Sequence, residues 1–188
     1  SDLGGFFVED KYDQPNPKGP ALEEWRELNT RWFQYGAFCP LFRSHGQYPY
    51  REMFNIAPDS SIAYQSMLYY DQLRYRLLPY IYSLAGSTYH NDYTIMRGLP
   101  MDFGNDTAVL NIRDQYMFGP SLLVNPVTQY HARNRELYLP AGNGWYNFYT
   151  GKYQEGGQHI DAAAPLSRMP LYVREGAILP IGPALQYT

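Results

Sequence analysis

The spacing of apolar residues shifts from helical to alternating part-way along the chain. Residues 9–20, EDKYDQPNPKGP, are polar and broken by proline and glycine, which predicts an exposed loop. From Ala21 onward Leu22, Trp25, Leu28 and Trp32 fall on one helical stripe, Glu23, Glu24 and Glu27 suit its N-terminal half, and Gly36 ends it. The apolar run AFCPLF then predicts a buried strand carrying Arg43 and His45 at its C-terminal end. In the stretch PDSSIAYQSMLYYDQLRYRLLPYIYSLAGSTYHN, Ser60 or Ser61 caps a long helix. Ile62, Met67, Leu68, Leu73, Leu77, Leu78 and Ile81 form its apolar face as far as Gly86, and Pro79 kinks or splits it. YTIMRGL reads as a second short strand, so the order up to Phe103 is that of α/β units.

Beyond Phe103 the runs shorten. QYMFGPSLLVNPV, RELYLP, GWYNFYTG, GQHIDAA and MPLYVREGAILP are rich in β-branched and aromatic residues and are separated by Pro, Gly and Asn, the pattern of an antiparallel β-sandwich. The expected division is an α/β part over residues 1–103 and an all-β part over residues 104–188.

Composition narrows the function. The 188 residues include 15 basic and 18 acidic side chains, a formal charge of −3 with no basic stripe, which disfavours a nucleic-acid or membrane-surface partner. The single cysteine, Cys39, excludes an internal disulfide framework and a Cys-rich zinc site. No apolar run approaches the roughly 20 residues of a membrane span. Aromatic residues make up 17% of the chain, with 20 Tyr and 3 Trp; such rings stack on sugars and equally fill cores.

Two α/β units alone cannot close a sheet, so residues 1–103 read as the end of a larger α/β domain. If that domain is an eight-fold barrel, the loops after its strands form the active face, and SDLGGF and FRSHG occupy such loops. Asp2, just before Gly4 and Gly5, reads as a hydroxyl acceptor, a catalytic acid or base, or a turn former. His45 reads as a substrate contact or a hydrogen-bonded core residue; His90, His131 and His159 are too scattered to complete a metal site. Arg43 reads as an anion clamp or as the partner of an acidic neighbour. No nucleophile elbow, phosphate loop or HExxH motif is present, and NDT at Asn105 fits a glycosylation sequon.

Taken in order, SDLGGF, WRELNTRWFQYGAFCPLFRSHG, LRYRLLPYIYSLA, TIMRGLPMDF, DQYMFGPSLLVNPV, LYLPAGNGWYNFYTG and PLSRMPLYVREGAILPIGP closely resemble the C-terminal part of the catalytic region of glycoside hydrolase family 31. The resemblance covers almost the whole chain. It implies the last strand–helix units of a (β/α)8 barrel followed by an antiparallel β-sandwich. SDLGGF would follow the sixth barrel strand, with Asp2 and Phe6 lining the pocket for the non-reducing-end sugar. FRSHG would follow the seventh, with His45 contacting that sugar and Arg43 bracing the loop, and TIMRGL would be the eighth. The family's mechanism is retaining and uses two aspartates on upstream loops, so the resemblance places no catalytic residue in this chain and calls for no metal or organic cofactor. The implied partners are an oligosaccharide substrate and the N-terminal remainder of the same enzyme. The RSHG ending and the VEDKYDQPNPKGP insertion resemble bacterial α-xylosidases acting on xyloglucan oligosaccharides more than α-glucosidases, and the insertion would shape the subsites beyond the bond cleaved. A rival reading makes residues 104–188 a non-catalytic carbohydrate-binding or structural module, with Tyr146, Phe148 and Tyr149 as its platform.

Overall fold

A computed structural model of the chain describes residues 2–13 and 18–183. The centre of the VEDKYDQPNPKGP insertion, residues 14–17, lies outside them. Two parallel two-residue strands, β1 (Asp2–Leu3) and β2 (Arg43–Ser44), are joined through helix α1 (Pro20–Gly36), a right-sized unit for one barrel step. Gly36 is the last residue of α1, as expected, and a Cβ there would collide with the side chain of Leu3 on β1.

Helix α1 is buried on two opposite sides. Trp25, Asn29, Phe33 and Gly36 share one face, and Glu27, Arg31 and Gln34 lie about 180° away at 100° per residue. The first face meets the strands: Phe33 packs edge-on to Phe42 at 5.2 Å. The second is polar and meets the β-sandwich. Arg31 donates to the carbonyls of Ala132 (3.0 Å), Ala164 (2.8 Å), Pro165 (3.1 Å) and Arg168 (3.3 Å). Gln34 donates to Leu166 O and Ser66 Oγ, and Glu27 accepts both guanidinium arms of Arg133 at 2.6 and 2.9 Å. The expected stripe is therefore only half right: Trp25 is buried, whereas Leu22, Leu28 and Trp32 are half-buried.

AFCPLF is not a strand. It turns and bends, and its carbonyls are taken up by Arg74, which donates to Ala37, Cys39 and Pro40, so only Arg43 and Ser44 pair with β1. After the short helix α2 (Met53–Ile56), the long helical stretch divides at Pro79 into α3 (Ile62–Arg76) and α4 (Leu78–Asn91). Ser61 Oγ caps α3 by accepting from Tyr64 N. Gly86 does not stop α4; it is carried through in open space at a cost of about 1 kcal/mol, and the helix ends at left-handed Asp92.

The strand in TIMRGL, β3 (Met96–Gly98), leaves the α/β layer. It pairs antiparallel with β4 (Tyr116–Phe118) in the antiparallel sheet, where the resemblance implied an eighth barrel strand. Between them lie α5 (Leu99–Asp102) and a 3-10 turn over Thr107–Asn111. The remaining strands are β5 (Leu122–Val124), β6 (Asn134–Leu139), β7 (Gly144–Asn147), β8 (Tyr153–Glu155), β9 (Gln158–Ala163) and β10 (Leu171–Arg174). They form an antiparallel sheet in the order β3-β4-β5-β10-β7-β8, faced by the β6–β9 pair.

Alternation gives this sheet two apolar faces. Phe118, Leu122, Val124 and Leu171 pack on Tyr70, Leu73, Leu77, Tyr80 and Leu84 of the helices. Met117, Leu123, Trp145 and Tyr172 pack on Leu137 and Leu139 of β6. Tyr80 locks the β4–β5 turn by donating to Phe118 O at 2.8 Å and accepting from Ser121 N at 3.1 Å. Tyr70 and Tyr149 share a 2.5 Å contact between hydroxyls and hold both main-chain polar groups of Met169. Phe148 and Tyr149 are thus partly buried against the helix-facing core, and the three-ring platform of the rival reading does not form.

Replacing Arg31 by Met strips the donors from four buried or half-buried carbonyls. A loss of about 3 kcal/mol and a lower thermal midpoint are expected; a midpoint equal to wild type would show that α1 does not hold the sandwich.

Candidate functional site

β1 and β2 place Asp2 directly beside Arg43. The guanidinium donates twice to one carboxylate oxygen, from Nε at 3.0 Å and from Nη2 at 2.6 Å, both to Oδ1. Oδ2 takes no side-chain hydrogen bond among the described residues. These bonds from Arg43 hold the Asp2 carboxyl below the usual carboxylate range, with a smaller contribution from His45. A carboxyl so held stays ionised and accepts hydrogen bonds; it does not donate a proton near neutral pH. The pair lies at the surface, with Arg43 half exposed, and is not the buried ion pair that an arginine on a strand suggests.

Phe6 and His45 meet across the same two loops, with ring centroids 5.6 Å apart. The main chain ties these loops together through Gln47 N, which donates to Phe6 O at 2.8 Å. Phe7 stands against Phe6 at 5.0 Å and is 75% exposed. Thus Asp2, Phe6, Arg43 and His45 converge at one end of the parallel pair, beside a cavity of about 220 Å3 lined in part by His45, Gln47, Tyr48 and Tyr50.

The residue that holds this arrangement is Arg51, which the sequence pattern does not single out. It is buried and donates to the carbonyls of Leu3 (3.1 Å), Gly5 (2.7 Å), Gln47 (3.0 Å) and Pro49 (3.1 Å), while its guanidinium lies over Trp25 at 4.9 Å. It therefore stitches the SDLGGF loop to the FRSHG loop. Gly4 of SDLGGF follows from this packing, and Gly5 from its own positive φ of +81°. Gly4 has φ +84°, and a Cβ there would come within 2.6 Å of Asn29 Oδ1 and 2.9 Å of Arg51 Nη1. A charged residue in a loop ordinarily reads as solvated, so the sequence carries no signal for this burial.

Among the described residues no group of three or more His, Cys, Asp and Glu side chains could hold a metal ion. Among the described residues no helix is long and apolar enough to cross a membrane.

Comparison with known proteins fits this geometry. Residues 1–84 match the glycosyl hydrolases family 31 TIM-barrel domain, and residues 92–179 match the glycosyl hydrolase family 31 C-terminal domain. The chain belongs to glycoside hydrolase family 31. It comprises the C-terminal part of the family's barrel and the antiparallel β-sandwich that follows. It is 44% identical over 182 residues to an alpha-xylosidase of Saccharolobus solfataricus, an overlap of 96% of this chain and 23% of the relative. A crystal structure of a family 31 alpha-xylosidase from Xanthomonas citri superposes with a TM-score of 0.95 at 61% identity, covering 99% of this chain and 20% of that one. A family 31 alpha-xylosidase from a soil metagenome, complexed with xylose, gives a TM-score of 0.81 at 34% identity, over 95% of this chain and 28% of that one. The chain thus spans about a quarter or less of the length of the first two relatives, 23% and 20%.

Replacing Arg43 by Gln is expected to let Asp2 titrate nearer its ordinary value of 3.8, read by NMR titration of the carboxyl. Because the folded pKa is depressed, the pair's contribution is complete above the ordinary carboxylate range and is lost as pH falls through the lowered value. An Asp2 titration indifferent to Arg43 would contradict the pairing.

Proposed function

We propose that this chain forms part of the sugar pocket of a retaining α-glycosidase that hydrolyses terminal, non-reducing α-linked sugars, with xylose preferred to glucose. The observation that carries the reading is the convergence of Asp2 and Arg43 with Phe6 and His45 at one end of two parallel strands. An ionised carboxylate with one free oxygen, an imidazole and an aromatic face are the three kinds of group that a neutral pyranose needs: an acceptor for hydroxyls, a second hydrogen-bonding group and a flat apolar surface. The α-xylosidase names of the similar proteins above favour xylose over glucose.

In this reading Asp2 and His45 bind hydroxyls more strongly as the ring flattens toward its oxocarbenium-like transition state, Phe6 packs against the ring, and Arg43 orients Asp2. Asp2 is not the proton donor, because its lowered pKa opposes that role. The nucleophile and the acid/base carboxyl belong to the portion of the family fold that this chain does not match. We also propose that the barrel portion ends ahead of β3, near residue 92, and not at 103: β3 pairs with β4, and the C-terminal domain match begins at residue 92. Strands β1 and β2 are then the last two of the barrel, one place later than their resemblance-based numbering.

In the complete enzyme, Asp2→Ala and His45→Ala are each expected to lower kcat/KM on an aryl α-xyloside about 10–100-fold, the worth of one hydrogen bond involving a charged or strongly polar group. The wild type should hydrolyse the aryl α-xyloside faster than the aryl α-glucoside. Near-normal kinetics in both variants would refute the pocket, and the reverse preference would make the enzyme an α-glucosidase.

A further inference from the structure

A second and larger concavity adjoins the cavity beside His45. It holds about 470 Å3 between the N-terminal half of α1 and the loop through α2, and its lining includes Lys18, Trp25, Arg26, Tyr50, Phe54 and Asn55. Pro49 and Tyr50 line both spaces, so a ligand leaving the smaller one over this shared wall enters the larger. The volume lies within the range of about 300–1,000 Å3 typical of ligand sites.

Its chemistry is that of a surface for uncharged, hydroxyl-rich rings. Tyr50 is 62% exposed and Phe54 is 72% exposed, yet both sit on short, tied-down segments: Tyr50 beside buried Arg51, which bonds the carbonyls of Gln47 and Pro49, and Phe54 within α2. Rigid aromatic faces offered to water cost little entropy to use and suit stacking on a pyranose. Charge argues against a polyanion. Arg26 is committed to Glu23 at 2.8 Å and to Ile56 O at 3.2 Å, which leaves Lys18 as the only cation lining the groove without an acid partner among the described residues.

We propose that this groove receives the leaving-group side of a neutral oligosaccharide, with Tyr50 and Phe54 stacking on the sugar units beyond the bond cleaved. The inference rests on the glycosidase reading of the Asp2–His45 site. The terminal sugar sits against Asp2, Phe6 and His45 at the mouth of the smaller cavity, which His45 lines, the chain crosses the Pro49–Tyr50 wall, and the next units lie along the aromatic faces. Substrate length is thereby read on this segment, apart from the recognition of the terminal ring.

The test compares an aryl α-xyloside with a xyloglucan oligosaccharide bearing a terminal α-xylosyl residue, using the complete enzyme and its Phe54→Ala and Phe54→Tyr variants. Phe54 is exposed and lines only the larger groove, so the fold tolerates its replacement. In Phe54→Ala, kcat/KM for the oligosaccharide relative to the aryl substrate should fall about tenfold, mainly through KM, and Phe54→Tyr should restore it. An unchanged ratio, or an equal loss on both substrates, overturns the groove and leaves the glycosidase reading in place. A wild type that hydrolyses neither substrate overturns both.

Discussion

Helix α1 must be buried on both sides at once, and the rest of the molecule is arranged around that constraint. One side carries Trp25, Asn29, Phe33 and Gly36 toward the loops of the site, and the other carries Glu27, Arg31 and Gln34 toward the sandwich. A helix with two apolar faces would suit this position less well, because the sandwich presents irregular loops with carbonyls that no strand satisfies. Those carbonyls need donors, and a planar group with five N–H bonds supplies several from one side chain. Burial pushes Arg31 down to about 10, a sign of how much the surrounding carbonyls and Glu27 must offset to keep it charged there.

The same device recurs at each irregular junction. Arg31 holds the loops around Ala132 and Ala164, Arg51 holds the two site loops, and Arg74 holds the turn after α1. Side-chain donors complete the hydrogen bonding around the two-residue strands of the α/β layer, as Arg51 does at Leu3 O. The site is thus positioned by buried arginines as much as by its sheet.

This explains what could be read from the sequence. Local rules with one dominant cause worked: Pro79 divided the long helix, Ser61 capped α3, and the alternating runs after Phe103 became β4 to β7, β9 and β10. Features fixed by distant partners did not. AFCPLF has strand-like composition but gives its carbonyls to Arg74, and TIMRGL is a strand whose partner, β4, decides which layer it joins. Asp2, Phe6, Arg43 and His45 were legible through the family blocks, and their convergence is seen in the structure; Arg51 was not, since nothing local distinguishes a buried loop arginine from a solvated one.

The central claim is that Asp2, Phe6 and His45 form one sugar-binding surface. Its most direct test is a crystal structure of the complete enzyme with xylose bound. The account predicts sugar hydroxyls within hydrogen-bonding reach of Asp2 Oδ2 and of the His45 imidazole, with Phe6 against the ring. Xylose seated in the barrel with neither side chain in reach would contradict it.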